Sequence, residues 1–119
     1  MIVKWDAVNL YNDMTLVSNA QTAQDGAPTK GDLVVTYTNG AGTAVVGTDI
    51  KFYISRDGTN YTGPITMTSQ GTTGGHTILT ANDVSLTSTS GSSMRWKITT
   101  HNQSVSKDTR VQAVSLGWS

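Results

Sequence analysis

The residues best placed to do chemistry are few, and the densest group is "SRDGTNY", residues 55–61. It sets Asp57 beside Gly58 with Ser55, Thr59 and Asn60 close by, a group of oxygens of the kind a hard cation uses. A calcium loop of the helical-hand type wants several oxygen ligands at alternate positions before its glycine, and here only Asp57 and Asn60 could contribute. Asp-Gly is also the dipeptide preferred where a two-residue hairpin turn needs positive φ at both central positions. Geometry alone accounts for the loop, so chain reversal is its expected role and no metal is expected.

Other constellations are thinner. Glycoside hydrolysis needs two acids converging in a cleft with separated pKa values, yet the Asp residues fall mainly at strand starts and turns, and no pair can be nominated. His76 and His101 lack a glycine-flanked nucleophile of the G-x-S-x-G kind, and "SGSS" is only a loop. His101 shares parity with Arg95, Lys97 and Thr99, which puts it on a wet face or just past a strand end. The glycine stretches "GTTGG" and "NGAGT" lack the Lys and following helix of a phosphate loop. No catalytic residue, cofactor or metal ligand is expected, and the chain is not expected to be an enzyme.

Composition narrows the partners. The eight acidic residues are all Asp, and eight Lys and Arg balance them to a formal charge of zero, so no long-range field draws the chain to phosphate or anionic lipid. Nucleic acid and membrane are therefore not expected partners. The opening "MIVKWDAVNLYND" carries Lys4, Asp6 and Asp13 in place of a secretory apolar run. With no cysteine there is neither a disulfide framework nor a thiolate metal site. Ser and Thr together make roughly a quarter of the chain, Glu is absent and Leu is sparse, which favours strands and turns over helices.

The elements that must position any site are strands. "SSMRWKITT" alternates Met94, Trp96 and Ile98 with Arg95, Lys97 and Thr99; "DIKFYIS" alternates Ile50, Phe52 and Ile54 with Lys51, Tyr53 and Ser55. "DLVVTYT" sets Leu33, Val35 and Tyr37 on one face. Weaker strands are expected at "MTLVSN", "PITMT", "HTIL" and "DVSLT", with turn signals at "TNGAG", "RDGTN", "SQGTTGG" and "STSGSS". In "TRVQAVSLGWS" the buried parity passes from Val111 and Ala113 to Val114, Leu116 and Trp118, which a bulge or two-sided burial would explain. About eight short strands at this spacing suggest an all-β, antiparallel sandwich or jelly-roll-like domain over residues 13–119. Residues 1–12 form an arm or first strand in which Ile2, Val3 and Trp5 are the expected partner-docking residues, because their pattern is not needed by the sandwich. Trp96 and Trp118 are expected to pack in the core.

Three stretches, "TDIKFYISRDGTNYT", "TILTANDVSLTSTSGSSMRWKITTHNQ" and "TRVQAVSLGWS", resemble a family of small β-structured virion proteins and fibre-end domains of tailed bacteriophages, notably marine ones. The likeness covers about residues 29 to 119 and rests most on "SMRWKITTHN" and "AVSLGWS". It implies a structural or adhesive role in the virion, after synthesis in the host bacterial cytoplasm, without cofactor or turnover, by a chain that looks like a whole protein of the family. The first expectation is a capsid decoration or cement protein that binds the major capsid protein or another virion protein as a trimer or a symmetric multi-copy array. The alternative is a tail-fibre tip that recognises host surface glycan, with Tyr53, Tyr61 or Trp118 stacking on sugar rings.

Overall fold

The computed structural model describes residues 12–87 and 90–119, and these form nine strands and no helix. Two antiparallel sheets pack face to face as a sandwich. One sheet orders β1 (Thr15–Val17), β8 (Ser93–Thr100), β4 (Ile50–Ser55) and β5 (Tyr61–Thr62), while β2 (Gln21–Thr22) pairs with β8 beyond the end of β1. The other orders β6 (Thr68–Thr73), β7 (His76–Ser85), β3 (Lys30–Ala41) and β9 (Asp108–Trp118). The expected sandwich is thus present, with one strand more than the eight anticipated.

The alternating patterns fix which face goes inward. Leu33, Val35 and Tyr37 of β3 and Leu79 and Ala81 of β7 meet Ile50, Phe52 and Ile54 of β4 and Met94 and Ile98 of β8 in the core. Phe52, Leu33, Val35, Ile50, Ile54 and Ile98 are fully excluded from solvent, each withdrawal contributing about 1.5–3 kcal/mol against the entropy of ordering the chain. Trp96 and Trp118 pack against this core half-buried.

Two bulges reconcile the changing parities. In β9 the pairs Thr36↔Ala113 and Tyr37↔Val111 leave Gln112 as an extra residue, so Val111 and then Val114, Leu116 and Trp118 all turn inward. Ala113, expected on the parity of Val111, is exposed for that reason. In β7 the pairs Leu33↔Ala81 and Gly31↔Val84 leave an extra residue, and Asp83 adopts a left-handed φ of 54° while its N–H donates to Asp32 Oδ1 at 2.8 Å. "HTIL" and the start of "DVSLT" are therefore one strand rather than two.

Three further expectations are corrected. "PITMT" is not a strand: Pro64 follows a cis bond, and Ile65 reaches the core from irregular chain, its N–H donating to the Phe52 carbonyl at 2.8 Å. The turn signal "SQGTTGG" is mostly β6, an edge strand exposed along its whole length, with only Gly74 and Gly75 left to reverse the chain. "TNGAG" is largely the end of β3, which runs on to Ala41 because it still pairs with β9 there.

Candidate functional site

The register of β4 and β8 gathers one chemistry on the outer face of the five-stranded sheet. Lys51 lies opposite Thr99, Tyr53 opposite Lys97 and Ser55 opposite Arg95, with Ser55 paired in turn to Tyr61 of β5. Directly opposed residues share a face, so Lys51, Arg95 and Lys97 stand with Tyr53 and Tyr61. The Lys97 ammonium sits 4.1 Å from the Tyr61 ring centre and 4.5 Å from that of Tyr53, and the two rings meet edge to face at 6.5 Å. Each cation–π contact is worth about 0.5–1 kcal/mol at an exposed site, enough to hold a flexible lysine in one place. The other strand positions of this face are Thr15, Val17, Thr22, Ser55, Ser93 and Thr99, so it carries cations and no carboxylate.

The 55–61 loop fixes the border of this face. Ser55 is fully buried, although its parity points outward, because the loop folds over it: its Oγ donates to the Asn60 carbonyl (2.7 Å) and accepts from the N–H groups of Gly58 (2.7 Å) and Asp57 (3.1 Å). Asp57 accepts the N–H groups of Thr59 and Asn60 at 2.7 Å each and the Asn60 side-chain amide at 2.8 Å. The Asn60 amide, then those main-chain donors, hold the Asp57 carboxyl well below the usual carboxylate range. The loop does reverse the chain, yet not as the two-residue turn expected: five residues separate the Ser55↔Tyr61 pair, and Gly58 (φ 80°) takes the left-handed conformation while Asp57 does not. The loop's own donors thus fix the orientation of the Asp57 carboxylate.

Arg95 completes the cluster. Its guanidinium lies against Gly58, where an added Cβ would come within 2.9 Å of it, and its Nε is buried with no acceptor among the described residues. It makes no ion pair with Asp57; the described ion pairs are Lys107–Asp49 and Arg110–Asp108.

A second carboxylate, missed in the sequence, organises the opposite end of the strands. Asp49 is buried and accepts from Lys107 Nζ (2.7 Å), Val45 N–H (2.8 Å) and the Asn102 amide (2.9 Å), while its carbonyl takes the His101 N–H at 2.7 Å. The Lys107 hydrogen bond first, then Val45 and Asn102, lower its pKa well below the ordinary range. All its oxygens serve the loops around it, so Asp49 is a tie between 42–49 and 101–107 and offers nothing to a ligand. Its partners lie 53 and 58 residues away, which no local pattern reveals.

The remaining nominees are dispersed. Trp118 is on the other sheet, lining with Met94, Trp96 and Leu116 a groove of about 300 Å³ between β9 and the β2–β8 edge, so it does not join the tyrosine pair. His101 follows β8 and shares a 2.8 Å hydrogen bond with Thr99, whereas His76 opens β7 in the other sheet. No three His or Asp side chains among the described residues converge as a metal site would require. Ile2, Val3 and Trp5 lie outside the described residues. The outer face of the four-stranded sheet is neutral at its centre, with Thr36, Thr80 and Ser115 beside Val34 and Ile78. Comparison of the chain with protein-family models, with curated proteins and with solved structures found no match, so the fold and this face must carry the functional reading by themselves.

Proposed function

We propose that the chain is a non-catalytic structural protein of a tailed-bacteriophage virion, and specifically a decoration protein that adheres to the head shell. The observation that carries this reading is β9: eleven residues long, it pairs with β3 alone among the described strands, and beyond Thr109, whose N–H the Gln103 side chain takes, its other edge is open. An open edge offers a row of main-chain donors and acceptors to an extended segment of another chain. The partner in this reading is an extended segment of the major capsid protein, bound in many copies. Between Val111 and Trp118 the strand carries no charge that would repel such a segment.

Counting copies per particle by quantitative mass spectrometry tests it: hundreds on the shell are expected, and a handful at the tail would overturn it. Removing residues 1–8 tests the arm, which is expected to cost head binding; full coating by the shortened chain would show that Ile2, Val3 and Trp5 do not anchor it.

A second reading, a tail-fibre tip that binds host glycan, is favoured by one observation: two of the three nominated stacking residues, Tyr53 and Tyr61, do come together. Loss of glycan binding in Tyr61→Ala particles, with tail localisation, is its expected signature.

A further inference from the structure

We infer that the outer face of the five-stranded sheet is a binding site for an acidic polysaccharide, gripped through its carboxylate or sulfate groups by Lys97, Arg95 and Lys51 and through its hydroxyls by Tyr53 and Tyr61. This deepens the glycan reading above by naming the ligand's chemistry, and it rests on that reading for treating this face as the one presented outward.

The case is one of unspent donors. With Lys4 outside the described residues, seven of the eight Lys and Arg remain; Lys107 and Arg110 are ion-paired and Arg56 is buried, donating to the Pro28 carbonyl at 2.6 Å. Three of the other four, Lys51, Arg95 and Lys97, converge on one face, where none has a hydrogen bond or ion pair to an acceptor among the described residues. The phenols of Tyr53 and Tyr61 are likewise without a hydrogen-bond partner there, and the Arg95 Nε is buried without one. Water can serve the part-buried ammonium and phenol groups, but a buried N–H ordinarily finds an acceptor, so the Arg95 Nε marks the place on this face where one is missing. Five donors with no carboxylate among them call for an anion that also carries neutral acceptors, which is the make-up of a uronic or sulfated sugar.

The geometry selects a polysaccharide over other polyanions. Arg95 and Lys97 are two positions apart on β8, about 7 Å along the strand, so the donors form a row on an open sheet surface suited to an extended polymer. Single-stranded nucleic acid would need open ring faces for base stacking; here the Lys97 ammonium covers a face of both rings.

The test is an NMR titration of the full ¹⁵N-labelled chain with oligogalacturonate, a sulfated oligosaccharide, neutral dextran oligomers and oligo-dT, backed by calorimetry. Oligogalacturonate, the sulfated sugar or both should shift the Tyr53, Tyr61 and Lys97 resonances, more weakly as salt rises, and the stronger of the two names the anionic group. Lys97→Gln should weaken binding at least ten-fold, and Lys97→Arg should retain most of it. Lys30→Gln, which removes the same charge from the other sheet, should change it less than two-fold. Equal losses from Lys97→Gln and Lys30→Gln would overturn the site. Dextran binding as tight as the charged sugars would overturn the anionic ligand while leaving a glycan-binding tip standing; tighter binding of oligo-dT, or no shift with any ligand, would overturn the inference outright.

Discussion

Gly42 and Gly47 sit in the same loop with positive φ, 64° and 91°, and differ in what a side chain would meet. A Cβ at Gly47 finds nothing within 4 Å, whereas one at Gly42 would collide with the Ser106 carbonyl oxygen. That oxygen is main chain in a turn closed by two hydrogen bonds between Ser104 and Lys107, at 2.9 and 3.1 Å, so it cannot swing aside as a side-chain tip would. Alanine in the left-handed region costs about 1–2 kcal/mol, which is all Gly47→Ala should lose. Gly42→Ala adds overpacking against backbone, typically about 1–3 kcal/mol, for a total of about 2–5 kcal/mol. At roughly 4 °C per kcal/mol for a chain of this size, the melting points should fall by about 4–8 °C and about 8–20 °C respectively. Urea unfolding followed by circular dichroism, with scanning calorimetry for the midpoints, measures both. Equal losses would refute the reasoning, because they would mean that the approach of loops 42–49 and 104–107 contributes nothing to stability.

Phe52→Ala empties a fully buried position between the sheets and should cost about 3–5 kcal/mol in the same urea assay; a loss under 1 kcal/mol would contradict the packing described. Deleting Gln112 removes the extra residue of the bulge and leaves Val111, Val114, Leu116 and Trp118 on one parity of a regular strand, so the shortened chain should still fold and give a dispersed NMR spectrum; loss of dispersion would contradict the bulge described. Asp49 and Asp57 both hold their protons less tightly folded than unfolded, so their stabilisation is full above about pH 5 and is lost as the pH falls through the ordinary carboxylate range toward their folded values. Melting points from pH 7 to pH 2 should show that decline, and Asp49→Asn should make it shallower; an unchanged slope would show that the Lys107 pairing is not its source.

What the sequence disclosed follows from where periodicity survives. The strands β3, β4 and β8 each bury one face, so their apolar residues fall on one parity and are read directly, and the parity switch at Gln112 announced its bulge for the same reason. β6 was hidden because "TSQGTT" buries neither face; its pairing with β7 is made by the backbone, which leaves no mark on residue type. Ile65 belongs to the core without belonging to a strand, so its alternation with Met67 misled. The candidate site was half legible. Tyr53 and Tyr61 are near in sequence and were nominated, but Lys97 and Arg95 joined them only through the β4–β8 register, which is a long-range property. Trp118 was drawn away by the same kind of information, since β9 belongs to the other sheet.

The uneven placement of charge across the sandwich has a last consequence. The strands of one sheet carry Lys51, Arg95 and Lys97 and no carboxylate, while those of the other carry Asp32, Asp83 and Asp108 against Lys30 and Arg110, all within a molecule whose charges sum to zero. Such a body feels torque in an electric field but no net pull. Near any anionic surface it is turned cationic side first at short range, and at physiological salt that turning operates only within about 8 Å of the surface.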